Sequence, residues 1–300
     1  MLIYGLVGYP LNYSLSPAIH QAAYSALGME AAYLLWPTAP ERLAGRVEAL
    51  RRQADVVGWN VTVPHKSAII PLLDDLAPSA QALGAVNTVV KSQGRLVGHN
   101  TDLSGFCRSL VQAGVAVAGR KALVLGAGGA ARAVCHGLLA LAGDKLYLIN
   151  RTLDRALRLQ RELQEAIAGR ALGVAAGPAC SDGGQPAVSV VDPQELVPLI
   201  PDIGLLVNCT SSQDPWATFG LAGDRIWNRG RGWAVDLAYG RMLAGFLDRA
   251  KAGGWQTLDG SGMLLWQAVH AVEIWSGVEA PVEAMQRALY RELVKGDGQA

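Results

Sequence analysis

The chain has 300 residues, enough for two α/β domains of ordinary size, and its net charge of +1 with no basic run excludes nucleic acid as an expected partner. Four cysteines stand far apart without a CxxC pair, which excludes a zinc site or a disulfide framework and fits a reducing cytosol. Met1–Pro10 lacks the basic region and the apolar length of a secretion signal, and the longest apolar stretch, residues 122–143, is broken by Arg132, His136 and several glycines, so no membrane span is expected and the class is a cytoplasmic α/β protein.

Leu2–Gly8 reads as a first strand. Ser16-Pro17 then opens a helix to about Leu27, with Ser16 as N-cap, Pro17 at N1 and Gly28 as the stop. Ala32–Trp36 is a second strand, and Glu41–Gln53 a helix with Leu43, Val47 and Leu50 on one face. Val56–Val61 is a third strand, and Asn60-Val61-Thr62-Val63-Pro64-His65-Lys66 leads from its end into an expected helix. Residues 85–90 and 96–98 pair as a hairpin through Ser92-Gln93-Gly94. This alternation predicts a mostly parallel sheet covered on both faces.

Asn100-Thr101-Asp102 begins a helix leading to a second domain. There, Ala122–Leu125 is a short buried strand and residues 130–141 a helix, joined by the turn Gly126-Ala127-Gly128-Gly129-Ala130 with Ala131 at the third small position. This is the dinucleotide fingerprint: Gly126 for the tight turn, Gly128 for close approach of a pyrophosphate, Ala131 for close packing, with the phosphates at a helix N-terminus. The next strand, Lys145–Ile149, ends in Asn150-Arg151-Thr152 where NAD-binding domains carry Asp or Glu. With Thr152 as N-cap, Arg151 and Arg155 flank the start of one helix and are placed to grip a 2′-phosphate, which favours NADP. Further strands are expected at residues 188–191, 204–207, 233–237 and 256–258. Residues 171–186, rich in Gly, Ala and Pro, read as a surface loop. Two closing helices, residues 263–276 and 281–295, have no strand after them and are expected to fold back on the first domain. The expected domains are therefore residues 1–104 with 260–300 for substrate, and 105–259 of Rossmann type for the nucleotide.

Ligands of open α/β sheets collect at the carboxyl ends of strands. Ser14 and Ser16 follow the first strand, Asn60 to Lys66 the third, and Asn87, Asn100, Thr101 and Asp102 the later ones, around a cleft facing the nucleotide domain. No Ser-His-Asp or metal-ligand spacing competes, and the five histidines are scattered.

These motifs resemble the shikimate dehydrogenase family over nearly the whole chain. They are Gly8-Tyr9-Pro10, Ser14-Leu15-Ser16-Pro17, Asn60–Lys66, Gly84-Ala85-Val86-Asn87-Thr88, Asn100-Thr101-Asp102, Gly126–Ala133, Asn150-Arg151-Thr152 and Gly262-Met263-Leu264 with Gln267. The resemblance implies NADP-linked reversible reduction of 3-dehydroshikimate to shikimate. It implies that Ser14 and Ser16 hold the substrate carboxylate, that Thr62, Asn87 and Gln267 bind its hydroxyls, and that Lys66 and Asp102 form the catalytic pair. It also puts Tyr239 in the cleft and Thr210, in Asn208-Cys209-Thr210-Ser211-Ser212, on the cofactor side. The chemistry agrees, because hydride transfer to a ketone makes an alkoxide that needs a proton donor and a nearby cation. Lys66 supplies both, and Asp102 orients it.

Three departures from the family pattern stand at Gln213, at Gly240-Arg241-Met242 and at Ala244. Three readings stay open beside shikimate: a quinate dehydrogenase, an aminoshikimate dehydrogenase, and a non-catalytic NADP or metabolite sensor on the same fold. The expected assembly is a monomer or homodimer. Ser16 has two candidate tasks, helix cap and ligand.

Overall fold

The computed structural model describes residues 1–169, 187–210, 212, 214–220, 227, 231–240 and 245–297. The loop expected at 171–186 and the departures at Gln213, Arg241, Met242 and Ala244 lie outside them. In chain order the elements are β1 (Leu2–Gly8), α1 (Ser16–Ala26), β2 (Ala31–Pro37), α2 (Leu43–Arg52), β3 (Gly58–Val61), β4 (Asp75–Leu76), α3 (Pro78–Leu83), β5 (Thr88–Ser92), β6 (Arg95–His99) and α4 (Asp102–Gln112). They continue as β7 (Lys121–Leu125), α5 (Gly129–Ala140), β8 (Lys145–Ile149), α6 (Leu153–Ala168), β9 (Ala187–Val190), α7 (Pro193–Leu199), β10 (Ile203–Asn208), α8 (Pro215–Thr218), β11 (Trp233–Asp236), α9 (Phe246–Ala252), β12 (Gln256–Leu258), α10 (Ser261–Ser276) and α11 (Val282–Asp297). The chain divides into two compact units, Met1–Gly105 with Leu264–Ala300, and Phe106–Met263.

The first unit holds a six-stranded sheet in the order β2-β1-β3-β5-β6-β4. β1 runs parallel to β2 and β3, whereas β5 is antiparallel to both β3 and β6. The expected hairpin is present, with positive φ at Gln93 (50°) and Gly94 (77°) matching the twist of its strands. One face of the sheet packs Val7, Trp59, Val61 and Val89 against Leu43, Val47 and Leu50 of α2. On the other face Tyr4 stacks on Tyr24 of α1 and lies against Trp275 of α10, while α11 packs beside α1.

Two local expectations fail here. The segment after Lys66 is a series of turns with one 3₁₀ turn at Ile70–Leu72, not an α-helix, because Pro71 offers no N–H to continue one. Ser16 is the first helical residue and Pro17 the second; the N-cap is Leu15, whose side chain cannot cap α1.

The second unit holds a parallel sheet in the order β12-β11-β10-β7-β8-β9, the doubly wound order. Alternation along its strands sends Val124, Leu148 and Val207 toward α5 and α6, and Leu125, Ile149 and Leu206 toward Trp216, Trp227 and Phe246. Each such buried side chain contributes roughly 1.5–3 kcal/mol. No helix among the described residues is long and apolar enough to cross a membrane.

Candidate active site

Because β3 and β6 both run antiparallel to β5, the carboxyl ends of β1, β3 and β6 and the amino end of β5 share one edge of the first sheet. The segments leaving that edge carry Ser14 to Ser16, Thr62 to Lys66, Asn87, and Asn100 to Asp102. Four bonds pin the segment that presents Lys66. Thr62 N–H reaches Val7 O (2.9 Å), Tyr9 N–H reaches Val63 O (2.9 Å), Val86 N–H reaches Lys66 O (2.7 Å), and the His65 imidazole Nε2 donates to Thr38 O (2.6 Å). Glycine is required at position 8, since a Cβ there would lie 2.3 Å from the Thr62 methyl.

Asp102 starts α4 and is positioned by Asn100, whose Oδ1 accepts the Asp102 N–H (2.9 Å) and whose Nδ2 holds Ala85 O (2.9 Å). Its two carboxylate oxygens have different partners. Oδ2 takes a 2.6 Å bond from Lys66 Nζ, and Oδ1 takes a 2.9 Å bond from Asn87 Nδ2. The two charged side chains are only 17% and 6% exposed, so water screens their attraction weakly and the ammonium has one fixed direction. The structure therefore brings together Lys66, Asp102 and Asn87. Asn87 is bonded at both ends of its amide: Nδ2 also donates to Thr101 Oγ1 (2.9 Å), and Oδ1 accepts from Thr101 N–H (2.8 Å) and Thr88 Oγ1 (3.0 Å).

Ser14 Oγ accepts the Ser16 backbone N–H, while the Ser16 hydroxyl is left without a capping task. Thr62 is half-buried beside Gly8. Gln267 sits on α10 directly against Gly105, where a Cβ would come within 2.7 Å of its backbone nitrogen, and its Nε2 donates to Leu264 O (2.8 Å). Sequence reasoning gave no role to Tyr33 or Thr88 and placed Asn60 only among the polar groups at the strand end, yet all three bond into this network. The available signal was a carboxamide inside the otherwise apolar strand Gly58-Trp59-Asn60-Val61.

In the second unit the turn between β7 and α5 has the geometry a phosphate needs. Gly126 has φ +106°, and a Cβ there would meet the Thr210 methyl at 3.2 Å. Gly128 is the N-cap of α5 with no side-chain cap bond, and open space lies where its Cβ would be. The first N–H groups of this twelve-residue helix thus face outward without a side-chain acceptor. Ala127, Gly129 and Ala130 complete the turn and are each partly exposed.

Asn150 turns the chain at the end of β8 by donating to Thr152 O (2.8 Å). Thr152 occupies the N-cap of α6 as expected, although its hydroxyl makes no cap bond. Arg151 and Arg155 are exposed and form no ion pair among the described residues. Thr210 is held through Asn208, whose Oδ1 accepts both the Thr210 N–H (3.0 Å) and hydroxyl (2.8 Å). Asn208 in turn donates to Asp236 Oδ2 (3.2 Å). Burial pushes the Asp236 carboxyl up, against the pull of its bonds from Ala238 N–H and Asn208. Tyr239, half-buried, follows β11 in this unit. An outward-facing helix start, a glycine turn and two unpaired guanidiniums at the next strand end fit a dinucleotide bearing a 2′-phosphate.

Residues 6–89 match the shikimate dehydrogenase substrate binding domain, and residues 260–290 match the Shikimate 5'-dehydrogenase C-terminal domain. A protein of Methanopyrus kandleri named shikimate dehydrogenase (NADP(+)) is 40% identical over 97% of this chain and 96% of its own. The crystal structure of shikimate 5-dehydrogenase from Thermus thermophilus in complex with NADP(H) and shikimate is 35% identical. It superimposes with a TM-score of 0.77 over 97% of this chain and 99% of that one. Quinate dehydrogenase from Corynebacterium glutamicum in complex with NAD is 29% identical, with a TM-score of 0.79 over 97% and 99%. With its two sheets, its Lys66–Asp102 pair and these relatives, the chain belongs to the shikimate dehydrogenase family.

Proposed function

We propose that the protein catalyses the reversible NADP-linked interconversion of 3-dehydroshikimate and shikimate, a step toward the aromatic amino acids, acting in the cytoplasm as a monomer or homodimer. The observation that carries this reading is the 2.6 Å Lys66–Asp102 contact at the strand edge where substrate-sized polar groups collect. A bound nicotinamide supplies or removes the hydride. Lys66 gives its proton to the ketone oxygen as that oxygen gains charge, and takes it back in the reverse direction. Asp102 keeps the ammonium aimed and balances its charge in a site that water reaches poorly.

The remaining assignments follow from chemistry at the same edge. Ser14 and Ser16 hold the substrate carboxylate by hydroxyl bonds, and Ser16 is available because α1 does not use it as a cap. Thr62, Asn87 and Gln267 take the ring hydroxyls; for Asn87 this means exchanging one of its present partners, Thr101 Oγ1 being the exchangeable neutral one. Gly126, Ala127, Gly128, Gly129 and Ala130 cradle the pyrophosphate, Thr210 borders that turn, and Asn150, Arg151, Thr152 and Arg155 surround the 2′-phosphate. A non-catalytic sensor has no need of the buried Lys66–Asp102 pair, which is expensive to keep out of water.

The test is a spectrophotometric assay of reduced nicotinamide formation with shikimate and with quinate, each with NADP and with NAD. Efficient turnover of shikimate with NADP is expected. A kcat/KM for quinate equal to or above that for shikimate moves the assignment to a quinate dehydrogenase.

A further inference from the structure

We propose that Tyr33 and Asn60 are positioning residues for the Lys66–Asp102 pair, acting through a one-way chain of hydrogen bonds that runs across the first sheet. Parallel register sets Tyr33 beside Tyr4, and Leu6, two residues on, beside Asn60, so Tyr33 and Asn60 share a sheet face. Across that face the Tyr33 hydroxyl meets Asn60 Oδ1 at 2.7 Å. Asn60 Nδ2 donates to Asn87 O (3.1 Å) and Thr88 Oγ1 (3.0 Å), Thr88 Oγ1 donates to Asn87 Oδ1 (3.0 Å), and Asn87 Nδ2 donates to Asp102 Oδ1 (2.9 Å).

The direction of every bond is forced. Thr101 N–H can only donate, which makes the Asn87 oxygen the acceptor and turns its NH₂ toward Asp102. The Asn87 carbonyl can only accept, which turns the NH₂ of Asn60 toward it and leaves Oδ1 for Tyr33. The phenolic proton is therefore committed to Asn60, and each link polarises the next until the chain ends on a carboxylate. Asn60, Asn87, Thr88 and Asp102 are all buried, so solvent screens these links weakly. The Tyr33 ring is held by His20, stacked on it at 4.3 Å and 6°. Both His20 nitrogens are buried without a partner among the described residues, so His20 acts on Tyr33 by packing. Tyr33, Asn60 and Thr88 act only through Asn87, and none of the three bonds to Lys66 or Asp102 directly.

This inference rests on the dehydrogenase reading for its kinetic arm only. The variants are Tyr33→Phe, Asn60→Ala and both together. Tyr33→Phe keeps the ring on His20 and removes one oxygen. Its kcat for shikimate oxidation falls roughly 3–10-fold, what a neutral hydrogen bond of ordinary net strength yields. KM stays within about twofold and the NADP dissociation constant is unchanged. The double variant is no slower than Asn60→Ala, since both cut the same chain. The second arm is competitive labelling with trace acetic anhydride. The Lys66 rate, relative to exposed Lys251, rises at least about twofold in Tyr33→Phe as Asp102 loosens. Unchanged kcat with unchanged Lys66 labelling overturns the proposal, as does a loss that multiplies with that of Asn60→Ala. If Asn60→Ala does not fold, the kinetic split and labelling of Tyr33→Phe decide alone. Should the unmodified protein fail to oxidise shikimate, the functional reading falls, and the labelling arm still decides this one.

Discussion

Ser16 gives its backbone N–H to the Ser14 hydroxyl oxygen at 3.3 Å, so the two serines do different work in the first turn of α1. Ser14 satisfies the helix, and Ser16 keeps its own hydroxyl uncommitted. Ser16→Ala should therefore raise KM for shikimate with little change in kcat, because that contact exists in ground and transition states alike. It should also leave thermal stability near that of the unmodified protein, without the ~0.5–2 kcal/mol lost when a true cap is removed. Ser14→Ala should raise KM and lower stability together. Steady-state kinetics and thermal unfolding of the two variants separate these outcomes.

Lys66→Ala removes both proton donor and cation. A fall in kcat of roughly 10²–10⁴-fold is expected, the range for general acid–base groups, with a much smaller change in substrate binding. Near-full turnover in this variant would assign the proton to another group. The folded state also loses the partner of Asp102 Oδ2, so a lower unfolding midpoint accompanies the kinetic loss.

Arg151→Ala should weaken NADP by about 1.5–3 kcal/mol while sparing NAD, since only the former carries a 2′-phosphate for a charge-assisted bond. Titrating each cofactor against the variant measures this directly. Equal loss for both would place Arg151 outside the phosphate site.

His20 gives stability a pH dependence. Burial pushes its imidazole down to about 3, against 6.5 when unfolded, so between those values only the unfolded chain takes up the proton. The contribution of His20 is whole above pH 6.5 and is lost as the pH falls toward 3. From pH 7 to pH 5 that loss is about 2 kcal/mol. His20→Phe, which keeps an aromatic ring against Tyr33, should shrink the pH 5–7 difference in unfolding free energy by about that amount. His136, also pushed down by burial, to about 4, supplies a similar slope that the variant retains.

The legible parts of this protein are those whose cause is local. Gly126 needs a positive φ and Gly128 an open approach, and both needs are written within a few residues of a strand and a helix start. The hairpin at Gln93-Gly94 is legible for the same reason. The segment after Lys66 misled because Ser67 to Leu73 has helical composition with Pro71 inside it. β4 spans two residues, too few for any period to show. The cap of α1 misled by one residue, since Ser-Pro reads as N-cap and N1 whether or not the hydroxyl turns inward. The bond from Tyr33 to Asn60 spans 27 positions and depends on strand register, which no local pattern encodes.

The first unit is built from both ends of the chain, with residues 106–263 inserted between its parts. During synthesis at about 5–20 residues per second, the ribosome therefore spends roughly 8–30 s making the inserted unit before α10 and α11 emerge. Through that interval Tyr4 waits without Trp275, and α1 without α11. The inserted unit is continuous and is free to mature first, whereas the part carrying Lys66 and Asp102 is completed last. A nascent chain stalled before Leu264 should accordingly protect its glycine turn from proteolysis while leaving the aromatic face of the first sheet open to chaperone capture.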